Sequence, residues 1–377
     1  MSEMRRETPL ALQLKERIRR HGPITLGAYM IACLNDAEHG YYSKKVAIGR
    51  EGDFITAPEI SQVFGELIGM WAAVVWQSMG SSAQFNLVEL GPGRGTLIRD
   101  ALRAARIVPG LLDAASLHLV DSNATLRETQ RNTLDVLSCP VTWHANASRL
   151  LTDESSLESG PVIVLANEYL DTFSIEQFVR DGGRWRWRHV NLDDEGNFAF
   201  VLGGVASHEP PSRLHAGARD GDVFEHRDGC CNIADDLTRL AAGGRPVAAL
   251  FIDYGHARTT LGDTLQGVKD HHYVSPFETP GETDLTAMVD FESFTHAIAP
   301  TGLVVDGPVT QAEFLGSLGI IERASRLMAA NPAKAGVIET GVARLMAPNG
   351  MGTRFKAIGI RSAGLPKLPG FGSDGEW

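Results

Sequence analysis

The sequence predicts an α/β protein built on a Rossmann-like, mostly parallel seven-stranded sheet, with an N-terminal helical extension and two large insertions. Three observations carry this expectation. Short apolar runs at residues 85–89, 117–121, 141–144, 161–166, 247–254, 303–309 and 355–361 alternate with helix-patterned stretches, as strands and crossover helices do in a parallel sheet. The first run ends in an acid and three glycines and passes straight into a helical pattern at residues 96–106. Two stretches, 176–244 and 256–299, break the alternation with hairpin and loop punctuation.

The elements follow in chain order. Leu10, Leu14 and Ile18 share one helical face, and the acids Glu3, Glu7 and Glu16 around them argue for an ordinary helix over a targeting peptide, which would be poor in acids. A helix is expected over 58–79, with Pro58 in its first turn, where a missing N–H costs nothing. From 176 to about 204 the text reads as a hairpin: Gly182-Gly183 is the turn, and Arg184, Arg186 and Arg188 alternate with Trp185 and Trp187 at strand period, one face packed and one solvated. Residues 256–290 show no period, and so long an irregular stretch is expected to be a functional loop or lid. The expected organisation is an N-terminal helical and lid segment (1–57), a cofactor-binding core (58–175), a hairpin and loop insertion (176–244), the rest of the core sheet (245–255 and 300–362), a lid or substrate insertion (256–299) and a tail (363–377).

Composition narrows the function. A net charge of -11 over 377 residues disfavours a protein that holds nucleic acid by neutralising many phosphates. The apolar run 70–76 is far short of the ~20 residues that cross a bilayer. Cys33, Cys139, Cys230 and Cys231 show no paired spacing and read as reduced thiols. His256, His271 and His272 have no carboxylate at a recognised ligand spacing, so no metal is expected.

The chemistry concentrates in Glu89-Leu90-Gly91-Pro92-Gly93-Arg94-Gly95. Glycines allow a tight turn and close approach of a ligand to the free N–H groups of the following helix. A dinucleotide fingerprint would place a third glycine where Thr96 stands. Glu89 decides between cofactors: a carboxylate there repels a pyrophosphate but pairs with the amino group of a methionine moiety. The segment therefore predicts S-adenosyl-L-methionine, held by Glu89, Gly91, Gly93, Gly95 and Thr96. Asp121 and Ser122, at the end of the second strand, are expected at the ribose, although Asp121 could instead cap the next helix. Asn146, at the end of the third strand, is expected near the adenine.

The fourth strand runs into Asn167-Glu168-Tyr169-Leu170-Asp171. Ligands in open α/β sheets bind beyond the carboxyl ends of the strands. Asn167, Glu168 and Asp171 are thus candidate catalytic residues, since paired carboxylates can take a planar guanidinium bidentately. A turn-forming role for the same residues is the competing reading.

Taken together, these segments resemble the MidA-like family of S-adenosylmethionine-dependent methyltransferases. The resemblance runs through Pro23-Ile24-Thr25, His39-Gly40-Tyr41-Tyr42, residues 52–65, 89–95 and 167–171, Ile252-Asp253-Tyr254-Gly255-His256 and residues 281–286. It implies a class I methyltransferase fold and a protein-arginine methyltransferase, with symmetric dimethylation of an arginine in a respiratory complex I subunit. It also implies that Asp53, Thr56, Pro58, Glu59, Gln62, Asp253, His256 and Asp284 shape the site around cofactor and protein substrate. A cytoplasmic, bacterial member of the family is expected. Two other readings stand beside it: a non-catalytic cofactor-binding assembly chaperone and an NAD-dependent oxidoreductase.

Overall fold

The computed structural model describes residues 7–44, 56–135, 139–153, 155–206 and 208–372. Asp53 lies outside them. The core sheet consists of β1 (Phe85–Leu90), β2 (Ala115–Val120), β3 (Val141–His144), β4 (Val162–Asn167), β5 (Val247–His256), β6 (Leu303–Thr310) and β7 (Phe355–Ser362). Their order is β6-β7-β5-β4-β1-β2-β3. Only β7 runs against its neighbours. A two-residue strand, Val289–Asp290, adds parallel to the end of β5 and makes the sheet eight-stranded; a run that short has no legible period.

The central strands are apolar on both faces because helices cover both, as parallel sheets require. On one face Phe85 and Leu87 of β1 pack with Phe64, Ile68 and Trp71; on the other, Val88 and Leu90 pack with Ile233, Leu237 and Phe294. Since β1 pairs with β2 on one side and β4 on the other, the chain reverses its winding direction beside β1. The crevice at that switch point lies beyond the carboxyl ends of the strands.

The expected helix 58–79 is two helices, Ala57–Ile60 and Gln62–Ser78, because Ser61 takes an extended conformation and caps the second by accepting from Val63 N. Gln62–Ser78 crosses close to the helix Thr96–Ala105. Added Cβ atoms at Gly65 and Gly69 would lie 2.8 Å from Asp100 Cβ and 2.2 Å from Ala101 O.

A second, antiparallel sheet holds the expected hairpin, Glu176–Asp181 with Arg184–Leu192, turned by Gly182 and Gly183 at φ 55° and 79°. Trp185 is buried, while Arg188 donates to Gln177 Oε1 (2.7 Å) and Asp263 Oδ2 (2.6 Å). Ile24–Thr25 joins this sheet, bringing the helices Pro9–His21 and Leu26–Asn35 onto it. Leu10, Leu14 and Ile18 are buried there together. The stretch 256–290 is more ordered than expected: Gln266–Lys269, His272–Val274 and Asp284–Thr286 form a small antiparallel sheet. Its tight turn uses Asp270 and His271 at φ 49° and 63°, a backbone state usually signalled by glycine or asparagine.

The contact between the two helices sets a stability test. Gly69→Ala places a methyl against the Ala101 carbonyl and is expected to cost about 1–3 kcal/mol. The loss should appear as a lower urea midpoint at unchanged slope.

Candidate active site

Gly91, Gly93 and Gly95 all have positive φ, at 65°, 53° and 80°. At Gly91 a Cβ would also lie 3.0 Å from the Tyr169 ring. Gly95, in the left-handed region, starts the helix Thr96–Ala105. The loop is held from behind by Gln130, which is fully buried. Its Nε2 donates to Gly93 O (2.8 Å) and Asp121 Oδ2 (2.9 Å), and its Oε1 accepts from Trp143 Nε1 (3.1 Å). Gln130 was not legible as a site residue, because a lone glutamine in a helix carries no local signal.

Asp121 Oδ1 accepts from Asn123 N at 2.8 Å. Asn123, rather than Asp121, caps the following helix by accepting from Thr125 N and Leu126 N. Asn146 caps the helix Ala147–Thr152 by accepting from Arg149 N, and it also stands on the cleft wall.

A cleft of about 1500 Å³ opens at these strand ends. Of the sequence candidates, Thr56, Gly91, Gly93, Asp121, Ser122, Asn146, Glu168, Asp171 and Asp284 line it. Glu89, Gly95, Thr96, Asn167, Pro58, Glu59, Gln62 and Asp253 are not on its wall. Thr96 Oγ1 donates to Glu59 Oε1 and so ties two helices together behind the site, whereas Gln62 Nε2 donates to Glu66 Oε1 (3.2 Å) one turn along its own helix. His256 borders a separate small cavity with Glu225 and Arg227.

The electrostatics are those of carboxylates withdrawn from water. Glu89 is 3% exposed and its Oε2 has no hydrogen-bond partner among the described residues. Burial, reinforced by Asp121, pushes its carboxyl up to about 8. Glu168 sits at φ 53°, and its Oε1 accepts from Ala57 N and Asn167 Nδ2, both at 3.1 Å. Burial and then Asp171 push Glu168 up to about 7. Asp171 Oδ1 is buried without a partner; burial raises this carboxyl and Arg227 opposes the shift. Asp253 accepts from Asp171 N (3.1 Å) and Tyr254 N (2.9 Å), and burial drives it upward with Asp171 and Glu168 adding repulsion.

Arg227 does not neutralise this cluster with a carboxylate contact. Its Nη1 donates to Leu170 O, Asp171 O and Phe173 O (2.8, 3.0 and 2.6 Å) and its Nη2 to Ala287 O (2.8 Å), clamping the segment after β4 to the 284–290 segment. The N-terminal segment closes the other side. Tyr42 Oη donates to Asp284 Oδ1 (3.3 Å) and Tyr42 O accepts from Asn123 Nδ2.

Buried carboxylate oxygens without partners fit a cationic ligand. Glu89 matches the amino group of S-adenosylmethionine in charge. A mostly parallel sheet of this order, a positive-φ glycine loop and acids at the ends of its first two strands define the class of S-adenosylmethionine-dependent methyltransferases. The comparisons agree with that class: residues 67–309 match the S-adenosyl-L-methionine-dependent methyltransferase family Methyltransf_28, and the chain belongs to this family. It is similar to the mitochondrial protein arginine methyltransferase NDUFAF7 of Mus musculus, at 35% identity covering 94% of this chain and 84% of the relative. The Homo sapiens protein of the same name is 34% identical, covering 94% and 83%. A crystal structure from Burkholderia thailandensis bound to S-adenosyl-homocysteine is 28% identical and superposes with a TM-score of 0.82, covering 96% of this chain and 93% of that one.

The Glu89 environment sets a measurable proton balance. Its carboxyl holds a proton in the free protein below about pH 8; if Glu89 pairs with the cationic amino group it must do so as the carboxylate, and binding at pH 7 would then expel that proton. Calorimetry with S-adenosylhomocysteine in buffers of different ionisation enthalpy is expected to show release of about one proton per molecule bound at pH 7. The release should shrink as the pH is raised through about 8, and Glu89→Gln should weaken binding. A buffer-independent heat for the wild type would remove Glu89 from the amino-group contact.

Proposed function

We propose that this chain is a protein-arginine methyltransferase acting in the cytoplasm on a respiratory complex I subunit, dimethylating one arginine symmetrically and so supporting assembly of the complex. The observation that carries the reading is the pair of part-buried carboxylates, Glu168 and Asp171, on the cleft wall just beyond β4 and beside the glycine loop. The naming of the mitochondrial relatives as protein arginine methyltransferases supports it.

In this reading Glu89 pairs with the cofactor's amino group, Gly91, Gly93 and Gly95 give its backbone room, and Asp121 with Ser122 meets the ribose. Asn146 lies toward the adenine. When bound, the cofactor supplies a sulfonium methyl that is already electrophilic. The chain is left to align the acceptor and to withdraw its proton.

Glu168 and Asp171 are suited to this because a guanidinium is planar and delivers parallel N–H donors to carboxylates. Oε1 of Glu168 is held by Ala57 N and Asn167 Nδ2, which fixes the carboxylate plane and leaves Oε2 for the substrate. Asp171 draws positive charge to one side of the guanidinium and leaves the nitrogen beside Glu168 more nucleophilic. That nitrogen forms the new N–C bond as the S–C bond breaks, and Glu168 takes the proton it loses. Asp253 is a positioning residue through its bonds to Asp171 N and Tyr254 N. Thr56 and Asp53, with Asp284 and His256, belong to the segments 1–57 and 256–299, which we read as the lid that shapes the acceptor side; Pro58, Glu59 and Gln62 open the core that follows and back that side from their helices.

An arginine side chain stays charged across the accessible pH range, so the pH profile reports the enzyme. Glu168 must be ionised to act. Methyl transfer is therefore expected to rise with pH through about 7 and level off above it. Glu168→Gln should lower kcat by about 10²–10⁴ with S-adenosylhomocysteine binding retained. A labelled methyl donor incubated with candidate complex I subunits checks both, and wild-type protein that binds cofactor tightly yet labels no arginine would defeat the proposal. Glu168→Gln protein that still promotes assembly would favour the scaffold reading.

A further inference from the structure

The cleft carries two kinds of charge. Glu168, Asp171 and Asp284 line it, yet so do Arg344 and Arg354, and both arginines are exposed. They come from separate segments: Arg344 from the last turn of the helix Ala335–Met346 and Arg354 from the turn preceding β7. Among the described residues neither guanidinium makes a hydrogen bond or a salt bridge. Arg227, by contrast, gives its N–H groups to backbone carbonyls. Arg344 stands near enough to Glu168 to oppose the upward shift of its carboxyl, and two arginines without an ion pair among the described residues at an acid-lined cleft stand out in a chain of net charge -11.

The size of the cleft bears on what meets them. At about 1500 Å³ it exceeds the volume typical of a small-molecule pocket, roughly 300–1,000 Å³. Space therefore remains beside a cofactor for several residues of a polypeptide. Tyr273 and Met288, 75% and 38% exposed, offer apolar surface on the same wall.

Resting on the arginine-methyltransferase reading above, we propose that Arg344 and Arg354 form a basic rim that selects protein segments whose target arginine is flanked by aspartate or glutamate. The acids inside the cleft attract the guanidinium, and the rim attracts the carboxylate beside it. A segment whose flanks are lysine or arginine meets like charge at the rim and is rejected, so the rim opposes the nonspecific pull that an acidic protein exerts on basic chains. Exposed pairs are individually weak and are screened by salt. The selectivity is accordingly modest, salt-sensitive and additive over the two arginines.

The test uses the full chain and three peptides of otherwise identical sequence, each with one central arginine flanked on both sides by Glu, Ala or Lys. The wild type is expected to methylate the Glu-flanked peptide with a kcat/KM about three- to tenfold above the Lys-flanked one at low salt, the gap closing at high salt. Arg354→Glu should invert the order, and Arg344→Gln should narrow the gap. Arginine methylation indifferent to the flanks would overturn the rim and leave the methyltransferase reading standing. Transfer to none of the three peptides would overturn both. Calorimetry with S-adenosylhomocysteine on each variant separates a last possibility: lost cofactor affinity in Arg344→Gln or Arg354→Glu would assign that arginine to the cofactor's carboxylate and overturn the rim.

Discussion

Carboxylates held out of water at the ends of parallel strands are the constraint on which the rest of this structure depends. A parallel sheet brings the carboxyl ends of β1, β2, β4 and β5 to one edge, so acids far apart in the chain collect there. Glu89, Asp121, Glu168, Asp171 and Asp253 are all pushed upward by burial, and most repel one another. For a carboxyl raised above its unfolded value, the folded state binds more protons than the unfolded state, so rising pH works against folding across that interval. Cations that enter the cleft relieve the same penalty. Arg227 and Arg344 offset only part of that penalty, so the free protein still favours added positive charge, which suits both the methionine amino group and a guanidinium.

Such a cluster keeps its shape only if the backbone around it cannot relax. Gln130 and Arg227 do this with opposite means. Gln130 spends its amide on the glycine loop, Asp121 and Trp143, linking the loop to β2 and β3. Arg227 spends its guanidinium on carbonyls of the segments after β4 and before Val289–Asp290. Glu168 itself holds a left-handed backbone conformation without being glycine, a state that persists only where the surroundings over-determine it. Its amide donates to Ile252 O and its carboxylate accepts from Ala57 N, so β5 and the N-terminal side of the cleft together impose that conformation.

Much of this was legible in the residue order. The alternation of strand and helix patterns, the glycine loop, Glu89 two residues before it and the acids after β4 all lie in short contiguous segments with their own spacing. The Gly182-Gly183 hairpin was legible for the same reason. What escaped were features without a local pattern: the Asp270-His271 turn, the break at Ser61, and the scaffolding roles of Gln130 and Arg227. A buried glutamine and a surface glutamine look alike in a helix, and an arginine that binds carbonyls has no partner motif to announce it.

The sequence by itself determined the sheet, the cofactor class suggested by an acid beside a glycine loop, and the acids at the strand ends, because each is a property of neighbouring residues. Only the tertiary structure decided which of those residues reach the cleft. It left Glu89 and Asp253 off the cleft lining and set Glu168, Asp171 and Asp284 on it, tied Glu59 to Thr96, and placed His256 at another cavity. Those outcomes depend on how segments distant along the chain cross one another, and such distances are set by packing rather than by spacing along the chain.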